Sequence, residues 1–232
     1  MMEKDKLVEI KKGQTGTGLL IENDGYICAS KELVNEGNVN GEWHCPNPFI
    51  VDAVFQKYGI KNANGRIYPE ALLKREVEKY QTKIMEHRAL GELNHPAESV
   101  IDLSRVSHNI IELHWEGHTL VGKMELNLTP GFIKHGIASS QGDMTANLLL
   151  NGYKVGVSSR GVGSVETRLG QQIVSEDFEL ICWDVVSDPS TNNAWISING
   201  EEDLKPWVED VDRKDKDLIS EKIEKITNIL KN

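Results

Sequence analysis

The chain has 232 residues, 39% of them hydrophobic, enough for one sizeable core with segments left over, so one domain with appendages is expected. A formal charge of −10 with no dense Lys/Arg run excludes a nucleic-acid binder, because phosphate contacts need a basic face. Cys28, Cys45 and Cys182 have no CxxC spacing and are odd in number, which argues against a disulfide framework or a cysteine metal site. The start, Met1 to Lys6, lacks an apolar signal core, and no window approaches the ~18 consecutive apolar residues of a membrane span, so a soluble cytoplasmic protein is expected.

Residues 1–48 are rich in Gly, Asn and Lys and read as a weakly structured leader, or as a hairpin turning at Asn23-Asp24-Gly25. Residues 49–55 form a clear apolar strand, and residues 61–66 a turn. Pro69 then opens a helix in which Leu72, Leu73, Val77 and Tyr80 recur at helical spacing to about Met85. His95 follows in the loop Gly91-Glu92-Leu93-Asn94-His95-Pro96, where Pro96 restricts its backbone; the segment is either a constrained catalytic loop or a surface turn.

Residues 104–128 read as strand, turn, strand, with Glu116-Gly117 at the turn. His114 and His118 have the four-residue spacing of a helical zinc pair, and His108 is near, but a hairpin separates such residues and a glutamate base beside the first histidine is absent. Residues 142–151 suggest a short helix stopped by Gly152. It delivers the chain to residues 155–164, V-G-V-S-S-R-G-V-G-S, which read as a buried strand breaking into a glycine-rich loop at two serines. Neighbours on a strand face opposite sides, so Ser158 and Ser159 cannot share a partner. The segment fits a nucleophile, a phosphate-cradling loop with Arg160 as counter-charge, or a plain turn.

Residues 178–186 form a second core strand, and Asp184 within it needs a partner, such as a histidine, or else caps the next loop. Residues 196–198 give a last apolar piece. Of residues 201–232, seventeen are charged, and Ile219, Ile223, Ile226 and Leu230 mark an amphipathic tail helix, so the expected division is leader 1–48, core domain 49–200 and tail 201–232.

Three motifs carry a resemblance. Asn64-Gly65-Arg66-Ile67-Tyr68-Pro69, Gly91 to Pro96 and Gly156-Val157-Ser158-Ser159-Arg160-Gly161, in that order and spacing, closely resemble the prohead core protein proteases of tailed phages over residues 49–198. That family is related in fold to the herpesvirus assemblins, so the resemblance implies mixed β structure with helices, an assemblin-like antiparallel β-barrel flanked by α-helices. It implies a serine endopeptidase with His95 as catalytic histidine, Ser158 as nucleophile and Asp184 as third member, and no cofactor. Arg160 and Gly161 are candidates for oxyanion or loop support. The implied substrates are scaffold, core and major capsid proteins cleaved after glutamate inside the prohead, with Arg66, Arg105 or Arg168 as the cation that recognises it. Val34-Asn35-Glu36-Gly37 partly fits such a site, making Glu36–Gly37 a candidate self-cleavage bond. Assemblins dimerise to become active, whereas phage relatives need not. An inactive, scaffold-binding member of the same fold is the alternative.

Overall fold

The structure, a computed structural model, describes residues 8–22, 38–39, 42–96, 98–187 and 196–197. In chain order they form β1 (Gly16–Ile21), β2 (Asn38–Val39), β3 (Glu42–Trp43), β4 (Ile50–Lys57), β5 (Arg66–Ile67), α1 (Glu70–Met85), β6 (Leu90–Glu92), β7 (Val106–Glu116), β8 (Thr119–Leu126), α2 (Pro130–His135), α3 (Gln141–Leu150), β9 (Gly156–Arg168), β10 (Gln171–Val174), β11 (Glu179–Val186) and β12 (Ile196–Ser197). The two candidate cleavage residues Glu36 and Gly37, and the tail 201–232, lie outside the described residues.

The strands make two five-stranded sheets and the small β2–β3 ladder. In the first sheet β9 is the spine. Gly161 and Val162 pair with β1 through Leu20 and Leu19 and with β11 through Leu180 and Glu179, so β1 and β11 flank β9 on opposite edges. The second sheet has the order β12-β4-β8-β7-β6, with antiparallel neighbours throughout. The sheets meet where Leu93 bridges Val185 in parallel and the Asn94 N–H donates to the Val185 carbonyl at 2.8 Å. That contact is too short to close a barrel: among the described residues the architecture is two open sheets with three helices.

Helix α1 begins one residue later than expected, with Pro69 at its N-cap, and buries Leu72, Leu73, Val77 and Tyr80. Tyr80 and Phe55 meet Trp183 of β11 edge to face at centroid distances of 4.9 and 5.5 Å, the geometry aromatic quadrupoles favour. Helix α3 starts on a Ser140–Asp143 capping box and ends before Gly152, whose positive φ of 75° suits the reversal into β9.

Two sequence expectations change. Residues 16–21, assigned to the leader, are a strand paired along β9 and buried from Gly18 to Ile21. The serine strand also does not break into a loop: β9 runs unbroken to Arg168. Gly161 and Gly163 sit inside it because Phe178 packs over them; a Cβ on Gly161 would lie 2.4 Å from the Phe178 ring, and one on Gly163 2.7 Å from the Phe178 Cα.

Candidate active site

The site is assembled on β9 and β11. Their register sets Ser158 opposite Asp184, Arg160 opposite Cys182 and Ser159 opposite Trp183. Directly opposed residues share a face with Cβ atoms about 5 Å apart, and alternation sends the next residue to the other face. Ser158, Arg160, Cys182 and Asp184 therefore line one face, while Ser159 turns to the other, beside Tyr68.

The histidine arrives on the loop after β6. Gly91 allows β6 to approach β11: a Cβ there would lie 2.2 Å from the Trp183 carbonyl oxygen and 2.3 Å from His108 Nε2. Asn94 adopts φ 67°, a left-handed conformation its short polar side chain tolerates, and its backbone N–H is pinned to Val185. The chain thus turns immediately before His95, whose Nδ1 lies 2.7 Å from Asp184 Oδ2. An ionised carboxylate only accepts, so Nδ1 carries the proton and Nε2 presents a lone pair. His95 Nε2 and Ser158 Oγ are both buried, and neither makes a hydrogen bond among the described residues.

Asp184 is fully saturated. Oδ1 accepts from the Glu92 backbone N–H at 2.9 Å, and Oδ2 accepts from Arg160 Nε at 2.9 Å as well as from His95. Burial alone would raise its pKa, but the His95 hydrogen bond and charge, the Arg160 guanidinium and the Glu92 N–H outweigh that and hold it below the ordinary value. Arg160 is itself buried, donating to Glu92 Oε1 at 3.1 Å and to the Glu98 carbonyl at 2.6 Å. Burial opposes its charge, but the Asp184 carboxylate and the hydrogen bonds to Asp184 and Glu92 outweigh that and raise its pKa. Cys182 is held as a neutral thiol, pushed well up by burial and then by Asp184.

The remaining candidates fall as follows. Arg160 and Gly161 belong to an interior strand paired on both edges, so their backbone N–H groups serve the ladder, and the Arg160 side chain supports Asp184. Arg66 is buried on Glu22 at 2.9 Å, and Arg168 is an exposed partner of Glu166. Arg105 is joined to the site, donating from Nε to Glu92 Oε2 at 3.1 Å while its side chain stays 39% exposed. His114 lies near the end of β7 and His118 in the hairpin turn, not on a helix, while His108 is buried. Glu92 was not singled out by the sequence; its signal was a lone acid in a short apolar strand three residues before the histidine.

The comparisons show the class: the chain belongs to the prohead core protein serine protease family, whose model matches residues 14–202. It is 33% identical over 150 residues to the prohead core protein protease of Enterobacteria phage T4, covering 63% of this chain and 67% of that one. Its fold is similar to the solved structure of the bacteriophage T4 capsid assembly protease, with a TM-score of 0.54 and 25% identity, over 76% of this chain and 98% of that one. It is thus a member of a phage capsid-maturation protease family, and among the described residues no helix is long and apolar enough to cross a membrane.

Proposed function

We propose that the chain is a serine endopeptidase of prohead maturation, acting through Ser158, His95 and Asp184. The observation that supports this most directly is the contact of His95 Nδ1 with Asp184 Oδ2 at 2.7 Å, with Ser158 opposite Asp184 in the same ladder. In this mechanism Ser158 Oγ attacks the scissile carbonyl carbon while His95 Nε2 takes its proton. The proton passes to the departing amine as the C–N bond breaks, and water, activated by the same nitrogen, releases the acyl group. Asp184 fixes the ring tautomer and stabilises the imidazolium. Oxyanion donors come from outside the β9 interior, each worth about 3 kcal/mol.

The substrates are scaffold, core and major capsid proteins inside the assembling prohead in the host cytoplasm, cleaved after glutamate. Of Arg66, Arg105 and Arg168, Arg105 is joined to the site through Glu92 and is the candidate for recognising that side chain. The chain also processes itself, with Glu36–Gly37 as the bond. The full chain and its Ser158→Ala variant, incubated with a peptide containing Ile-x-Glu-Ala and followed by mass spectrometry, test the assignment. Cleavage after Glu by the unmodified chain alone is expected. Equal cleavage by the variant would remove Ser158 as nucleophile, and cleavage at another residue would reject the glutamate preference. No cleavage by either, with capsid and scaffold proteins as substrates too, would favour an inactive scaffold-binding member.

A further inference from the structure

The Gly91 to Pro96 motif contributes more than His95. Glu92, the last residue of β6, is fully buried, and its carboxylate has three donors: Arg160 Nη2 at 3.1 Å, Arg105 Nε at 3.1 Å and the Asp102 N–H at 2.8 Å. Its backbone N–H meanwhile reaches Asp184 Oδ1 at 2.9 Å. One residue thus grips both Asp184 and the cation that competes for Asp184.

That competition has an electrostatic consequence. Asp184 Oδ2 is shared by His95 and Arg160, and a carboxylate paired one to one with a buried guanidinium offers little net charge to a developing imidazolium. The groups that face this cluster are Glu92 from β6, His95 from its loop, Arg105, Arg160 from β9, Cys182 and Asp184 from β11, His108 from β7, and Tyr80 and the half-buried Lys83 from α1, the last donating to the Ile181 carbonyl beside Cys182. Cys182 is a neutral thiol, burial keeps Tyr80 a neutral phenol, and burial keeps His108 a neutral imidazole. The fixed buried charges are therefore two acids and Arg160, with Arg105 at the rim.

We propose that Glu92 is a positioning residue of the reaction: it takes up the Arg160 charge, so that Asp184 remains a net anion for His95, and it anchors Asp184 through its own N–H. The inference rests on the assignment of Ser158, His95 and Asp184 above. Glu92→Gln keeps the shape and the backbone donor but removes the second acid, leaving Asp184 and Arg160 as a neutral pair. The imidazolium then loses support, so the acid limb of kcat/KM moves to lower pH and kcat falls about tenfold to hundredfold with KM little changed, the range typical of outer partners of catalytic groups. Arg105→Gln removes a rim cation and moves the acid limb the other way, by less because Arg105 is partly solvated.

The experiment compares the pH profiles of peptide cleavage by the full chain, Glu92→Gln and Arg105→Gln, with circular dichroism confirming each fold. In parallel, the His95 ring is titrated by NMR in the Ser158→Ala background with each second change. Opposite displacements of both the acid limb and the ring titration are expected. A folded Glu92→Gln variant whose acid limb stays in place, even with a lower kcat, overturns the proposal and leaves Glu92 as packing. Should Glu92→Gln not fold, the His95 ring titration of Arg105→Gln decides, since it involves no substrate and is untouched by any part Arg105 has in recognising glutamate; an unmoved titration there also overturns the proposal. Failure of the underlying assignment shows differently, as cleavage by Ser158→Ala, and in that case the ring titration alone still tests the coupling of Glu92 to His95.

Discussion

His108 Nε2 lies 3.2 Å from the Trp183 carbonyl and its Nδ1 2.8 Å from Ser107 Oγ, so the ring donates to the first and accepts from the second. Nε2 fixes β7 to the strand that carries Asp184, and Nδ1 is taken by the neighbouring Ser107 of β7, leaving no lone pair for a metal. Burial, partly offset by the Asp184 charge, pushes its pKa down to about 4 from 6.5. Between those values the unfolded chain binds a proton that the folded chain refuses, so stability rises with pH across the window and is lost as pH falls through it. The loss attributable to this ring, complete near pH 4, is about 3 kcal/mol at 1.36 kcal/mol per unit. Denaturant unfolding of the full chain and of His108→Gln at pH 7 and pH 4.5 checks it. The variant starts less stable but loses less on acidification; identical losses in both would show that another group governs acid sensitivity.

The strands and helices differ in how visibly the sequence encodes them. β4, β7, β8, β11, α1 and α3 each carry a run long enough to show its period, and they form where that period places them. β5 and β6, two and three residues long, have no period to read. β1 was hidden because Gly16-Thr17-Gly18 reads as linker, while its partner β9 lies far along the chain. The glycines of β9 read as a loop because nothing local announces Phe178. At the candidate site, His95, Ser158 and Asp184 stood out in the sequence as candidates, whereas the Arg160–Glu92 pair did not, since ion pairs between distant strands leave no spacing in the sequence. Gly91 combines both levels. Any side chain there strikes the Trp183 carbonyl and the His108 ring, so Gly91→Ala must push β6 away from β11 and lengthen the Glu92–Asp184 contact. A loss of about 1–3 kcal/mol by thermal unfolding is expected, with cleavage activity falling further than stability does. A variant as stable and as active as the parent would show that β6 can shift without cost.

At the scale of the whole molecule, the N-terminal strand bears on what self-processing can achieve. Leu19 and Leu20 are fully buried, six residues of β1 pair with residues 160–165, and the Glu22 N–H donates to the Ser159 carbonyl at 3.2 Å, next to the proposed nucleophile. Glu22 is also the centre of a buried knot, accepting from Arg66 at 2.9 Å, Tyr68 at 2.5 Å and Asn62 and Asn64 at 2.8 Å each. Removing one partner of a buried ion pair typically costs about 3–5 kcal/mol, because the other charge is left uncompensated. Cleavage at Glu36–Gly37 would therefore cut the chain without releasing β1, and the processed protein would keep its first strand as a bound fragment. After such a cut, denaturing mass spectrometry should find two pieces while size exclusion in native buffer finds one particle. Glu22→Ala should weaken that association, so that the N-terminal piece separates on dilution. If the piece leaves the unmodified protein as readily as the variant, β1 is dispensable to the fold. Persistence of cleavage activity after its loss would further show that β9 holds Ser158 in place without β1.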